Sequence, residues 1–135
     1  MLALLRAAVS VRVEAIRRDD RGEVAANTVI AAAVLGLFFL VVQAGLWFNA
    51  QQVAAGAARH AVDSARVENG TAADGEAIAE QFLRQTGSLQ NATVSVERQG
   101  DTVVVTVTGS AWSPQPFFDP PVTVTLTAPV ERVVE

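Results

Sequence analysis

The sequence predicts an α+β fold class, membrane-anchored: a long N-terminal transmembrane helix extending outward, a short second helix and a three-stranded antiparallel sheet. Three observations carry that expectation. Residues 24–58 are a run of 35 without a formal charge. Small side chains then recur at helical spacing through residues 50–64. From Ala92 onward apolar and polar residues alternate, the period of a strand. With 135 residues in all, half of them hydrophobic, the chain has room for one small domain beside the apolar run.

Residues 1–22 form a basic leader or cytoplasmic segment, with five arginines (Arg6, Arg12, Arg17, Arg18, Arg21) against three acids. Residues 23–48 are the expected transmembrane helix. Their most apolar part, 29–48, would be about 30 Å long as a helix, the hydrocarbon thickness of a bilayer. The alternative is the core helix of a soluble protein, but the amphipathic patterning of such a helix is missing. Arg17, Arg18 and Arg21 precede the run and Arg59 is the first positive charge after it. The positive-inside rule therefore puts the N-terminus in the cytoplasm and the C-terminal part outside, with Trp47 and Phe48 at the outer interface or simply packed. A cleaved secretory signal is a further alternative. Its apolar region is shorter than this one, and "LWFNAQQ" matches a cleavage site poorly, although Ala50 leaves one open.

Residues 49–68 continue as an extracytoplasmic helix extension, and Asn69-Gly70 provides the stop. Ala50, Ala54, Ala57, Ala61 and Ser64 recur at spacings of four, three, four and three, a packing stripe suited to close approach of another backbone or sheet. Residues 69–135 are the small α+β head. A helix over about 74–86 has Asp74 as its N-cap, Ile78, Phe82 and Leu83 on one face, and Gly87 at its end.

Strands follow at about 92–98, 102–109 and 121–128, with Gln99-Gly100-Asp101 as the first turn. Valines 94, 96, 103, 105 and 107 and Leu126 mark one face of the sheet; threonines 106, 108, 123, 125 and 127 mark the other. The apolar face needs a cover, either the small-residue stripe or the 74–86 helix. In the proline-rich loop "WSPQPFFDPP", Phe117 and Phe118 either tuck under the sheet or offer an exposed contact.

Several chemistries are disfavoured at this level. From Arg59 to the end there are five arginines and ten acids, so nucleic acid is not an expected partner. The chain has no cysteine, which removes disulfides and thiolate metal sites. One histidine and no tyrosine are poor material for an enzyme, and no cofactor, metal or small-molecule substrate is expected. His60, Asp63 and Ser64 invite a triad reading, but neighbours on a helix surface rarely supply an oxyanion hole or an acid behind the histidine. Asp74, Glu76 and Glu80 lack the looped arrangement of a calcium site and suit a helix N-terminus better. Asn69-Gly70-Thr71 and Asn91-Ala92-Thr93 match the glycosylation acceptor pattern.

With these parts placed, the chain resembles the type IV pilin class and, within it, the TadE-like and TadF-like minor pilins (pseudopilins) of tight-adherence systems. The stretches "RDDRGEVAANTVI", "QAGLWFNAQQVAAGAARHAVDSAR" and the valine-rich strands ending "VTVTLTAP" carry the likeness. The resemblance implies a leader ending at Arg21-Gly22, a prepilin peptidase cut between Gly22 and Glu23, and a minor pilin or pilus-assembly component. Other pilin or assembly subunits would be its partners. It implies a single pass through the bacterial cytoplasmic membrane, with packing into a filament as a further step. One position departs: pilins usually carry glutamate at the fifth residue after the cut, and here it is Asn27. An amide can hydrogen-bond with a neighbouring N-terminal amine but cannot form the ion pair. The alternatives are a signal-anchored extracytoplasmic scaffold or binding protein of an envelope complex unrelated to pili, and a retained leader lying as an amphipathic helix on the inner membrane surface.

Overall fold

The computed structural model describes residues 2–67 and 69–131, with side chains from residue 22 onward. The side chains of the leader arginines, and the Glu68 end of the expected 49–68 extension, lie outside the described residues. In chain order the elements are α1 (Leu2–Ala65), α2 (Ala72–Thr86), β1 (Leu89–Gln99), β2 (Thr102–Ala111) and β3 (Pro121–Pro129). The fold is α+β: one long apolar N-terminal helix, a second helix and a three-stranded antiparallel sheet of order β1-β2-β3. The chain divides into two compact units, Met1–Val41 and Val42–Glu135.

In the first unit the described side chains of α1 are exposed, large apolar ones such as Leu35, Leu37 and Phe38 included. Gly22 and Gly36 lie inside this helix, and a Cβ added at either would meet nothing within 4 Å.

The second unit has one core. Ala50, Ala54, Ala57, Ala58, Ala61 and Ala65 of α1 are buried, and they join Val96, Val103, Val105, Val107 and Val122 of the sheet in one cluster. Alanine at these positions lets helix and sheet come close together, because a methyl group adds little thickness between the backbones. β2 is central and supplies three fully buried valines, 103, 105 and 107. Burying each contributes on the order of 1.5–3 kcal/mol. On the opposite face the register aligns Thr93, Thr108 and Thr123 in one row and Ser95, Thr106 and Thr125 in the next. The Thr106 and Thr125 hydroxyls approach to 3.4 Å.

Several local details differ from the sequence expectation. The N-cap of α2 is Thr71, not Asp74: Thr71 Oγ1 accepts from the Asp74 amide at 3.1 Å, and Asp74 Oδ2 accepts from the Thr71 amide at 3.1 Å. This is a capping box, which satisfies two amides that the first turn would otherwise leave open. Asp74 is therefore the third helical residue, and its carboxyl is held below the ordinary value of 3.8, chiefly by the Thr71 hydroxyl and then by the Thr71 backbone amide.

The buried face of α2 is Gly75, Ala79 and Leu83, with Phe82 half-buried beside it, while Ile78 is exposed. Gly75 lies so close to α1 that an added Cβ would stand 2.8 Å from the Ala61 carbonyl oxygen and 3.2 Å from the Ala65 Cβ. Gly87 ends the helix in the left-handed conformation, φ 64°, with its amide bonded to the Leu83 carbonyl at 3.0 Å.

β1 starts at Leu89, earlier than alternation alone suggests, because its register slips between Gln90 and Thr93. Asn91 adopts a positive φ of 49° there, a conformation asparagine tolerates better than most residues. The extra residue returns Leu89, an odd-numbered position, to the same face as Val94 and Val96. In the Gln99–Thr102 turn Gly100 has φ 61°, while Asp101 is not among the positive-φ residues, the signature of a type II′ hairpin. α1 ends at Ala65. The Arg66 carbonyl just beyond accepts from the Glu131 amide at 3.0 Å, and the Arg66 guanidinium lies 3.4 Å from the Glu131 carboxylate.

Candidate functional site

Residues 42–48 of α1, within the second unit, close the apolar run. From 29 to 48 the only side chains able to hydrogen-bond are Gln43 and Trp47. They are four residues apart and so share one helix face. They engage the segment that joins β2 to β3 and the first residue of β3. Ser113 Oγ donates to Gln43 Oε1 at 3.3 Å, and Trp47 Nε1 donates to the Pro121 carbonyl at 3.1 Å. Polar atoms of an apolar helix are costly to leave unpaired outside water. The two bonds serve the Gln43 carbonyl oxygen and the Trp47 indole N–H, while Gln43 Nε2 is buried with no partner among the described residues.

The joining segment, residues 112–120, is ordered by its own bonds. The Ala111 amide donates to the Pro120 carbonyl at 2.9 Å across its base. The Gln115 amide donates to Ser113 Oγ at 3.2 Å, and the Phe118 amide donates to the Gln115 carbonyl at 3.3 Å. Pro114, Pro116 and Pro120 fix three of its φ angles. Its large side chains face outward: Trp112 is 51% exposed, Phe118 49% and Phe117 92%. Of the two expectations for Phe117 and Phe118, burial under the sheet is not the one observed: both rings are exposed.

The other residues singled out in the sequence fall as follows. Gly22, Glu23 and Asn27 are exposed residues inside α1. Ala50, Ala54, Ala57 and Ala61 are all buried in the core of the second unit. His60 is exposed and its ring lies 4.9 Å from that of Phe82, while Asp63 is engaged with Arg66 at 3.3 Å. The triad geometry is thus not assembled, since the acid is turned to an arginine.

The three acids of α2 are also occupied separately. Asp74 closes the capping box, Glu76 Oε1 accepts from the Val96 amide at 3.1 Å, and Glu80 faces Arg84 at 3.3 Å. Among the described residues no three of histidine, aspartate and glutamate gather where a metal could sit. Residues 69–71 and 91–93 of the acceptor patterns fall at the α1–α2 connection and at the β1 bulge.

Sequence reading passes over Gln43 and Trp112. A signal for Trp112 was present, because residues 102–118 carry no charge yet contain three aromatic rings. Gln43 stands out only once its distant partner is known. No family model, curated protein or solved structure matches this chain.

Proposed function

We propose that the chain is a structural subunit of a tight-adherence type IV-like pilus or secretion system, a minor pilin or assembly component in the bacterial cytoplasmic membrane. Residues 23–48 cross the bilayer, the N-terminal segment is cytoplasmic and the C-terminal domain is outside. The observation that carries this reading is the contrast along α1: exposed large apolar residues precede Val42, and buried alanines follow from Ala50. One helix thereby serves as anchor in its first part and as core element in its second. Its role is mechanical, through helix packing and contacts of the head with other subunits.

Gly22 adds support for processing. Glycine inside a helix costs about 1 kcal/mol relative to alanine, and here neither a close neighbour nor a positive φ calls for it. Recognition by a prepilin peptidase gives it a reason. Asn27 favours a second reading, a signal-anchored scaffold of an envelope complex, since the amide cannot make the ion pair of filament assembly. The intact mass of the protein purified from its own membranes decides between them. A chain starting at Glu23 is the expected result; a full-length mass would discard processing and leave the scaffold reading.

A further inference from the structure

We propose that the β2–β3 loop, residues 112–120, is a second membrane contact, a foot that seats Trp112, Phe117 and Phe118 in the interfacial layer of the bilayer beside α1. The proposal rests on the reading of residues 23–48 as a membrane span and adds a lipid-binding surface to it.

The placement comes from two hydrogen bonds, one tying the loop to the helix through Ser113 and one tying the helix to Pro121, the first residue of β3. Gln43 lies five residues before Phe48, about 7.5 Å along the helix axis, so the contact with Ser113 falls inside the apolar run rather than beyond it. A segment held at that level meets the same medium as the helix residues next to it. Composition agrees: residues 102–118 carry no charge, and the large apolar side chains turned outward are tryptophan and phenylalanine, with Gln115 and Asp119 also exposed. Tryptophan is favoured at headgroup depth, and phenylalanine sits at the headgroup–acyl boundary on interfacial faces. Asp119 is the loop's one charged residue. A ring 92% exposed at Phe117 is costly in water, and a structured loop with three prolines holds it there rather than letting it fold under the sheet. The opposite condition holds on the outer sheet face, where the exposed positions are mostly polar, among them Thr93, Ser95, Glu97, Thr123, Thr125 and Thr127.

The absence of cysteine makes single labelling sites straightforward. Nitroxide labels are placed in the full chain at Phe117→Cys in the loop, Leu35→Cys in the apolar run and Thr123→Cys on the outer sheet face. All three residues are exposed, so the labels displace no packed side chain. The chains are reconstituted in vesicles of phosphatidylethanolamine and phosphatidylglycerol. Power saturation then compares collision with oxygen, which concentrates in lipid, and with a water-soluble nickel chelate.

The expected result is oxygen-dominated relaxation at 35 and at 117, several-fold above the ratio at 123. Nickel-dominated relaxation at 117 with oxygen dominance at 35 would overturn the foot and leave the span standing. Shielding of 117 from both reagents would also overturn it, in favour of a protein occupant. Nickel dominance at 35 would remove the span itself and the foot with it.

Discussion

The two parts of α1 use apolar residues in opposite ways. Before Val42 the large side chains are exposed: Leu37 is 64% exposed and Phe38 61%. From Ala50 to Ala65 the buried positions are mostly alanine, and six alanines are at most 1% exposed. Hydrophobicity alone does not separate these stretches; side-chain volume does. Where a sheet and a second helix press against the backbone, mostly methyl groups fit, with Val53 and Val62 as the larger members. Where no protein covers the helix, bulk is unconstrained.

That contrast can be broken by exchanging the demands on the two stretches. The largest effect is expected from Leu37→Arg, because an arginine at the centre of a membrane helix costs about 2.5–3.5 kcal/mol on insertion scales. The membrane-bound fraction after alkaline extraction should fall sharply, whereas Leu37→Ala should leave unfolding of the second unit within about 0.5 kcal/mol. An unchanged membrane fraction for the arginine variant would remove the anchor reading.

Next comes Ala61→Leu, which forces a larger side chain into the core cluster at a position whose carbonyl already lies against Gly75. Overpacking of this kind costs about 1–3 kcal/mol, and thermal unfolding should shift down by roughly 4–8 °C for each kcal/mol in a domain of this size. A neutral result at 61 would mean that the alanine stripe is not selected for close packing.

The smallest effect sharpens the comparison by moving off α1. Thr71→Ala removes the hydroxyl of the capping box and should lower stability by about 1 kcal/mol. It should also flatten the acid dependence. The Asp74 carboxyl is held below its ordinary 3.8 in the folded chain, so its contribution is full above that unfolded value and is lost as pH falls through the lower, folded one. Urea midpoints at about pH 5 and about pH 2.5 should therefore differ less in the variant than in the parent, once common losses are subtracted.

How much of this was legible in the sequence depends on the range of the interaction. The strands at Val103–Val107 and at Val122–Leu126, the left-handed Gly87 and the alanine stripe rest on local period or local conformational preference, and a linear scan finds them. The cap of α2 was misplaced because Thr71 and Asp74 are both good capping residues three apart; only geometry shows that they share the task. The early start of β1 was hidden by Asn91, since a bulge is defined by the partner strand and interrupts the alternation by which a strand is recognised. The bonds of Gln43 to Ser113 and of Trp47 to Pro121 link residues 70 and 74 positions apart, and no local pattern encodes them. The candidate site is therefore legible as composition, aromatic and with Asp119 as the loop's single charge, but not as a place.

The alanine face also matters for the order of events during biosynthesis. Residues 50–65 emerge well before the strands that will cover them, and domains are at risk of misassociation while apolar surface waits uncovered. A face of leucines would offer neighbouring chains a strong holding surface in that interval. A face of methyl groups offers little, since the attraction scales with the apolar area at stake. The segment can thus wait uncovered until β2 and β3 arrive, and the close fit that alanine permits in the finished protein coincides with low adhesiveness in the nascent one.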